Sequence, residues 1–350
     1  MYRKKIREGG IWAIGLCIAM ILSCDKQPPP KTHKGDLNCP EQITRKVLVV
    51  HSYHPEYEWV AAVNRGLQMA ILPSDAKVET FYMDTKRRTD KEWMEQAGQK
   101  ALELIDEWQP DVVVTVDDDA QRFVGSALAG RTKPAVVFCG VNGEPETYGY
   151  PAANVTGVLE RLHFNESLAF LKSFYPKAKR TVLLTDYSST SFAVIDYVKS
   201  LPPGAIEVVD YITPVTFDQW QDAVLRYSKQ VDVISVYVYH TVKQDAEAKI
   251  SMPPREVMAW TAEHCSVPIL GFLVFSVDDG SLCGVLESGV EQGQLAGEMA
   301  VAILHGKRPD ELPMVTGTRG QTMVNMKMAK KLGIEIPPAI LKTIDVIVEH

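Results

Sequence analysis

The sequence predicts an α/β fold made of two Rossmann-like lobes, each with a parallel sheet covered by helices. Strand-like apolar runs alternate with amphipathic segments from Lys46 onward, and the alternation stops at a Gly- and Pro-rich segment, residues 142–151, before it restarts. The β-branched run at residues 47–50 is typical of a strand buried on both faces in such a sheet. The roughly 300 residues beyond residue 43 are too many for one typical core and suit two lobes.

The first lobe is predicted from four strands with helices between them. Pro73, Pro110, Gly130 and Pro134 fall at the breaks between these elements. Consecutive strand–helix units of this kind produce a parallel, helix-covered sheet. The predicted strands are residues 46–53, 77–83, 111–116 and 135–141, and the predicted helices are residues 59–72, 90–108 and 120–129.

The second lobe is predicted from the restarted alternation and is followed by a tail. The predicted strands are residues 181–185, 206–212, 231–239 and 268–277, and the predicted helices are residues 189–200, 217–227 and 253–264. The tail adds strand-like stretches at 282–287, 322–325 and 344–348, and a helix at 289–305 that Gly306 ends. Because it contains no third set of units, the tail must complete the two existing lobes.

The N-terminus resembles the leader of a bacterial lipoprotein. Basic residues precede the apolar residues 11–22, which are too few to span a bilayer comfortably, and Ile21-Leu22-Ser23-Cys24 resembles a lipobox. The resemblance implies that residues 1–23 are a signal peptide and that Cys24 is lipid-modified on the extracytoplasmic side of the membrane. A plain signal peptide, or a short anchor with an incidental Cys24, is the alternative. Residues 24–43, with three consecutive prolines, are predicted to be an extended tether.

The composition excludes some classes of partner. The formal net charge is −7, and the chain lacks a Lys/Arg cluster of the size that binds nucleic acid or anionic lipid. Cys39, Cys139, Cys265 and Cys283 show no metal-ligand spacing, so neither a metal nor another cofactor is predicted. A disulfide among these four cysteines is compatible with an extracytoplasmic location, and the sequence leaves its pairing open.

Several runs in the chain resemble the bacterial ABC-type substrate-binding proteins of the tryptophan-binding lipoprotein group. They are PDVVVTVDDDAQRFVGSAL, KPAVVFCGVN, ANVTGV, GEMAVAILHGKRPDELP and MVNMKMAKKLGIEIPPAIL, and HSYHPEYEW resembles versions fused to sensor histidine kinases. The resemblance implies a type I periplasmic-binding fold whose two lobes close on a ligand about a three-crossover hinge. It places the crossovers near residues 154–159, 281–287 and 312–316. The implied lobes are residues 44–157 plus 282–312 and residues 158–281 plus 313–350.

The first predicted strand ends among hydrogen-bonding and aromatic side chains. In open α/β sheets, ligands bind beyond the carboxyl ends of the strands. Aromatic rings there stack on a ligand ring or cover the apolar face of a sugar, and a hydroxyl donates or accepts. The candidate ligand contacts are therefore Ser52, Tyr53, Tyr57 and Trp59. Packing beneath the loop is the alternative role for Tyr53 and Trp59.

Asp117, Asp118 and Asp119 end the third predicted strand directly before a helix. One acid at this position caps the helix and interacts favourably with the helix dipole. Three acids are more than a cap requires, so at least one is predicted to face the ligand. Relatives in the resembled group often have small residues here, and three acids would repel the carboxylate of an amino acid. A cationic or polyhydroxyl ligand is therefore predicted. Asn142, after the fourth strand, is a candidate amide contact whose alternative role is turn formation.

The second lobe supplies candidates at its own strand ends: Asp186, Tyr187, Tyr239, Phe275 and Asp278. Residues 188–191 all carry hydroxyl groups and lie at the start of a helix after Asp186. These hydroxyls either contact a ligand or merely cap that helix. Tyr239 and Tyr237 lie on the same face of the predicted strand. They either belong to the ligand site or pack in the core. Asp278 is followed by Asp279 and Gly280, which is equally a plain turn signal.

The sequence favours an extracytoplasmic solute-binding lipoprotein that captures a small polar ligand between its lobes for an ABC permease. A sensory module that reports ligand occupancy to a separate histidine kinase or other partner is the alternative, because of the HSYHPEYEW resemblance. Enzymatic activity is not predicted, since the chain has no G-x-S-x-G, P-loop or H-E-x-x-H motif and no G-x-G-x-x-G after the first strand. A hydrolase is the remote alternative and depends only on His51, His54 and His240 near acids.

Overall fold

A computed structural model describes residues 45–349 of the chain. The predicted leader, the lipid-modified Cys24, the tether and Cys39 lie outside these residues. Within residues 45–349, no helix is both long enough and apolar enough to cross a membrane. Cys139, Cys265 and Cys283 are buried free thiols, so no disulfide links any two of these three.

Residues 45–349 form two sheets flanked by helices. The strands are β1 (Lys46–His51), β2 (Lys77–Tyr82), β3 (Val112–Val116), β4 (Ala135–Val141), β5 (Val155–Leu159), β6 (Arg180–Leu184), β7 (Glu207–Ile212), β8 (Val233–Val236), β9 (Ile269–Gly271), β10 (Cys283–Leu286), β11 (Val315–Thr316), β12 (Gln321–Asn325) and β13 (Val346–Val348). The first sheet has the order β11-β5-β4-β3-β1-β2, and all its pairs are parallel. The second has the order β13-β12-β10-β9-β8-β6-β7, in which only β10 and β12 are antiparallel.

Helices cover both sheets. They are α1 (Glu58–Ile71), α2 (Lys91–Trp108), α3 (Asp117–Ala120), α4 (Ser126–Leu128), α5 (Phe164–Phe174), α6 (Ser189–Ser200), α7 (Phe217–Tyr227), α8 (Pro254–His264), α9 (Val274–Asp278), α10 (Gly289–Leu304), α11 (Met326–Lys331) and α12 (Pro338–Leu341). A π-helical turn, Gln121–Gly125, joins α3 to α4. The central strands β3 and β8 are buried along their whole length, as expected of strands covered on both faces.

The chain passes between the lobes three times, near the three predicted crossovers. It leaves the first sheet after β5, returns to the first lobe after β10, and leaves it again after β11. In the tail, α10 packs on the first lobe, and β12 and β13 join the second sheet. The short strand β10 pairs within the second sheet and β11 within the first. The lobe boundaries at residues 157, 281 and 312 stay predictions.

Three predicted elements differ from the structure. The predicted strand at residues 231–239 is too long, because β8 ends at Val236 and leaves Tyr237 and Tyr239 beyond it. The predicted strand at residues 268–277 is wrong in its second half, because β9 ends at Gly271 and Phe275 lies in the helix α9. The apolar run there is buried except at Val274, so its periodicity does not distinguish a strand from a short helix. The predicted helix at residues 120–129 begins earlier, at Asp117, and the helix α5 was not predicted.

Close packing of α1 against α10 depends on two glycines. A Cβ atom at Gly66 would overlap the carbonyl oxygen of Val290, and one at Gly293 would overlap the carbonyl oxygen of Val63. The backbones of the two helices therefore approach more closely than any larger residue allows. This packing ties the tail to the helix that follows β1, and so supports the loop at residues 52–57.

A candidate ligand site between the lobes

The carboxyl ends of strands from both sheets meet at an enclosed cavity between the lobes. Its volume in this closed state is about 10 Å³, roughly the space of one water molecule and far below the roughly 300–1,000 Å³ of ligand pockets. Four of its lining side chains are aromatic and three are ionisable acids or bases. The lining residues are Tyr53, Tyr57, Trp59, Lys86, Asp117, Glu160, Thr190, Tyr237, Val238 and Leu273. These side chains therefore suit a ligand with an apolar or aromatic part and charged groups, which they can surround only when the lobes lie further apart than they do here.

The lobes are closed over this cavity by direct contacts between them. The hydroxyls of Tyr53 and Thr190 are 2.9 Å apart, and Ser189 Oγ donates to Asp119 Oδ1 at 2.8 Å. At the rim, Arg255 of the second lobe forms an ion pair with Glu58 of the first. The structure is thus that of a closed state.

Asp117 is the acid that lines the enclosed cavity. Its Oδ1 accepts the indole N–H of Trp59 at 2.8 Å, whereas its buried Oδ2 has no hydrogen-bond partner within residues 45–349. Burial, and secondarily the charge of Glu160, holds its pKa well above the ordinary value. Its backbone φ is +67°, in the left-handed region that Asp and Asn tolerate better than other side chains do. Asp117 is therefore the candidate partner for a hydrogen-bond donor or cation on a ligand.

The other two acids of the triplet accept hydrogen bonds from the protein, although the buried Oδ2 of Asp118 has no partner within residues 45–349. Asp118 Oδ1 accepts bonds from the backbone N–H groups of Asn142 (3.1 Å) and Gly143 (2.8 Å) and from the hydroxyl of Tyr148 (2.9 Å). Asp119 Oδ2 accepts from Thr85 Oγ1 at 2.7 Å. Asp118 and Asp119 line wider grooves on two sides of the cavity. The three acids therefore do not form one acidic surface around the ligand space, which was the basis for predicting a cationic or polyhydroxyl ligand.

Ser52 caps the helix that the triplet begins, although that role was predicted for an Asp. Its Oγ accepts the N–H of Ala120 and donates to the carbonyl oxygen of Val116, both at 2.7 Å. No acid side chain of the triplet caps α3. With both of its hydrogen-bonding directions used inside the lobe, Ser52 supports the site without lining the cavity.

Lys86 is a site residue that the sequence analysis missed. Its side chain is buried, and its Nζ lies 4.6 Å from the ring centre of Tyr53 and 5.8 Å from that of Tyr57. Within residues 45–349 this ammonium group has no hydrogen-bond acceptor. A buried ammonium is costly unless it is paired. The cavity thus contains a positive group as well as the carboxylate of Asp117.

Glu160, also missed, stands at the first crossover between the lobes. Its carboxyl group accepts from Asn142 Nδ2 at 3.2 Å on the first lobe and from Tyr237 Oη at 3.3 Å on the second. Burial raises its pKa to about 8. Nearby at the second crossover, Glu287 lies 3.4 Å from His163 Nε2, and burial raises its pKa to about 9. The hinge therefore contains two carboxyl groups that favour their neutral form at pH 7.

Asp186 is fully engaged by the second lobe. One oxygen accepts from Ser188 and Ser191, at 2.7 and 2.8 Å, and the other from the N–H groups of His240 and Thr241, at 2.8 and 2.9 Å. Burial would raise its pKa, but Lys86 and these donors outweigh burial and lower it. Asp186 organises the loops that surround the cavity and does not line it.

The remaining second-lobe candidates also lie outside the enclosed cavity. Tyr187 is exposed against Phe192 and lines a groove that Lys86 shares. Tyr239 donates to Asp279 Oδ2 at 2.7 Å. Phe275 lines a rim groove that it shares with Tyr57, and Asp278 is exposed. The second-lobe residues that line the cavity are instead Thr190, Tyr237, Val238 and Leu273.

Two closed α/β lobes around a small, partly charged cavity define a binding protein for a small molecule. Residues 61–348 match the model of the ABC transporter substrate binding protein family, and the chain belongs to that family. A curated tyrosine-binding protein of Clostridioides difficile (strain R20291) is 25% identical over 192 residues. That match covers 53% of this chain and about half, 51%, of the relative.

Solved structures confirm the predicted fold of two lobes of the type I periplasmic-binding class. An ABC domain of Streptococcus pneumoniae in complex with L-Trp superposes with a TM-score of 0.68 at 18% identity, covering 87% of this chain and all of that one. A conserved domain protein of Vibrio cholerae gives 0.70 at 20% identity, covering 87% and 99%. The ligand-free, open structure of a substrate binding protein with adhesive properties from Clostridium difficile gives 0.63 at 18% identity, covering 88% and 100%.

Proposed function

We propose that this protein captures a single zwitterionic amino acid, with an aromatic side chain, between its lobes. The observation that carries the proposal is a pair of complementary groups at one cavity: the ammonium of Lys86 and Oδ2 of Asp117, both buried and both without a protein hydrogen-bond partner within residues 45–349. The α-carboxylate of an amino acid satisfies the lysine, and its α-ammonium satisfies the aspartate. Charge-assisted hydrogen bonds of this kind are among the strongest in proteins.

The aromatic lining supports the choice of side chain. Tyr53, Tyr57, Trp59 and Tyr237 present ring faces or edges on which an aromatic ligand packs. The curated relative is named for tyrosine and a structural neighbour was solved with L-Trp. The zwitterion replaces the cationic or polyhydroxyl ligand predicted from sequence, because the positive charge of Lys86 offsets the acid that would repel a carboxylate.

Calorimetric titration of the mature protein with L-tyrosine and L-tryptophan tests the proposal. Tyramine lacks the carboxylate and hydroxyphenylpropionate lacks the amino group, so each should bind at least tenfold more weakly than L-tyrosine. Lys86→Met should remove the preference for L-tyrosine over tyramine, and Asp117→Asn the preference over hydroxyphenylpropionate. Each change removes a charged hydrogen bond, equivalent to about 10- to 100-fold in affinity.

Lys77→Met is the matched control for the lysine substitution. Lys77 lies at the opposite end of β2, and its side chain is exposed, so its loss should leave the affinity unchanged. Binding of putrescine or a sugar, with no binding of any amino acid, would overturn the proposal and restore the cationic or polyhydroxyl prediction.

We further propose that the protein is extracytoplasmic, lipid-anchored through Cys24, and delivers its ligand to an ABC permease. The family match and the lipobox-like Ile21-Leu22-Ser23-Cys24 support these points. Mass spectrometry of the membrane-extracted protein tests the anchor, since the N-terminal peptide should begin at Cys24 and carry acyl chains. An unmodified peptide that begins elsewhere would contradict it.

A further inference from the structure

A segment of the second lobe, residues 241–252, reaches across to the first lobe, and we name it the strap. Its base is fixed to its own lobe through Lys243, whose N–H donates to Val215 O at 3.0 Å and whose carbonyl accepts from Phe217 N at 2.8 Å. Lys243 also pairs with Ser251 in an antiparallel bridge, which returns the strap toward its base. The strap is therefore a hairpin-like loop with a defined conformation.

The returning half of the strap, at residues 250 and 251, pairs with the backbone of the first lobe. Ile250 and Arg88 form an antiparallel bridge. Ser251 N donates to Arg87 O at 3.2 Å, and Ser251 Oγ donates to Lys86 O at 2.8 Å. These bonds join different lobes, so opening of the hinge would break them.

The partner of the strap is the loop that carries the cavity lysine. Thr85 anchors this loop to the first lobe, because its N–H donates to Ser52 O at 2.9 Å and its hydroxyl donates to Asp119 Oδ2 at 2.7 Å. The next residue, Lys86, places its ammonium over Tyr53 while its carbonyl oxygen accepts from Ser251. One residue thus connects the ligand cavity with the contact that forms when the lobes close.

We propose that the strap is a latch for the closed state, and that Ser251 is a positioning residue that holds Lys86 toward the ligand. The binding of a carboxylate by Lys86 rests on the proposed function, whereas the latch itself depends only on contacts between the lobes. Ligand release then requires the Ser251 bonds to break first. Ser251 therefore sets the dissociation rate more than the association rate.

A disulfide between Arg88→Cys and Ile250→Cys tests the latch without any ligand. Partners in an antiparallel bridge have Cα atoms about 4.5–5.5 Å apart, within the range that a disulfide spans, and both side chains are exposed. In a Cys39→Ser background, we expect this pair to oxidise readily and the control pair Arg88→Cys with Glu247→Cys to oxidise slowly. Equal rates for the two pairs would overturn the latch.

The oxidised protein and the Ser251 variants then connect the latch to binding, with L-tyrosine as the probe. Oxidation should stop exchange of bound L-tyrosine, and a reductant should restore it. Ser251→Ala should speed dissociation about three- to tenfold, as expected for one lost hydrogen bond, and Ser251→Thr should recover it. In a Lys86→Met background, Ser251→Ala should have a smaller effect, because the lysine that it positions is absent.

Two outcomes separate failure of the latch from failure of the proposed ligand. If L-tyrosine does not bind the unmodified protein but the crosslink forms selectively, the latch stands and the proposed function fails. If L-tyrosine binds and exchanges freely from the oxidised protein, or if Ser251→Ala only lowers the melting temperature without changing dissociation, the latch is overturned.

Discussion

Glu160 shows how one buried side chain makes the stability of the molecule depend on pH. Burial raises its pKa from 4.5 to about 8 in the folded chain. Between these values the folded state keeps a proton that the unfolded state has lost. The free energy of unfolding must therefore fall as the pH rises through this window, by up to about 1.4 kcal/mol per pH unit for this group.

Glu160→Gln should flatten this dependence, because glutamine keeps a neutral polar group between Asn142 and Tyr237 and has no proton to lose. Denaturant unfolding at several pH values from 5 to 8 measures the slope. Glu166→Gln is the control, since Glu166 is exposed on α5 and should leave the slope unchanged. Identical slopes for the unmodified protein and Glu160→Gln would show that Glu160 ionises normally.

Sequence reasoning found the site residues that follow a strand directly. Tyr53, Tyr57 and Trp59 come just after β1, and all three line the cavity. Lys86 was missed because it lies between other polar residues and beside the exposed Arg87 and Arg88, so its charge looked like a solvated surface. Nothing local in the sequence marks it as the buried member of that run.

At the scale of elements, the packing of α1 on α10 makes Gly293 a sensitive position. Gly293→Ala would force the new Cβ against the carbonyl oxygen of Val63, and a backbone atom cannot move aside as a flexible side chain does. We expect a loss of about 3 kcal/mol in the free energy of unfolding, at the upper end for overpacked cores. Denaturant unfolding measures it.

The control for this substitution is Glu298→Ala on the exposed face of α10. Its only side-chain partner within the described residues is Gln294, one turn earlier, so its effect should stay within about 0.5 kcal/mol. Comparable losses for the two variants would mean that α10 is generally fragile and that the glycine contact is not special.

Most elements were predictable because their periodicity is set by one buried and one solvated face, as in α2 and α7. The helix α5 and two shorter elements were not. The helix α9 lies in an apolar run that is buried except at Val274, so the run shows no clear periodicity. The acids of α3 looked like helix caps, but the cap comes from Ser52, 68 residues before Ala120. Contacts over that distance depend on tertiary structure, which local sequence does not encode.

For the whole molecule, the balance between open and closed states depends on a few hydrogen bonds between the lobes. Ser189→Ala with Thr190→Val removes the bonds to Asp119 and Tyr53, each worth about 0.5–1.5 kcal/mol. We expect the ligand-free ensemble to shift toward open forms, with a larger radius of gyration in small-angle X-ray scattering.

Ser200→Ala is the control for this double variant, because Ser200 is exposed at the end of the same helix and, within residues 45–349, its hydroxyl bonds only to the carbonyl of Tyr197. Its scattering profile should match that of the unmodified protein. Unchanged scattering from the double variant would mean that other contacts stabilise the closed state, namely the aromatic contacts of Tyr57 with His240 and Phe275.

The left-handed backbone at Asp117 restricts any redesign of this pocket as a biosensor for other solutes. Because φ is +67° there, a saturation library at this position would be filtered by backbone strain before ligand contacts had any effect. Asn and Gly are the replacements that tolerate this conformation without strain. Selectivity is therefore better diversified at Thr190 and Tyr237, whose φ values lie outside that region, while position 117 serves as a charge switch between Asp and Asn.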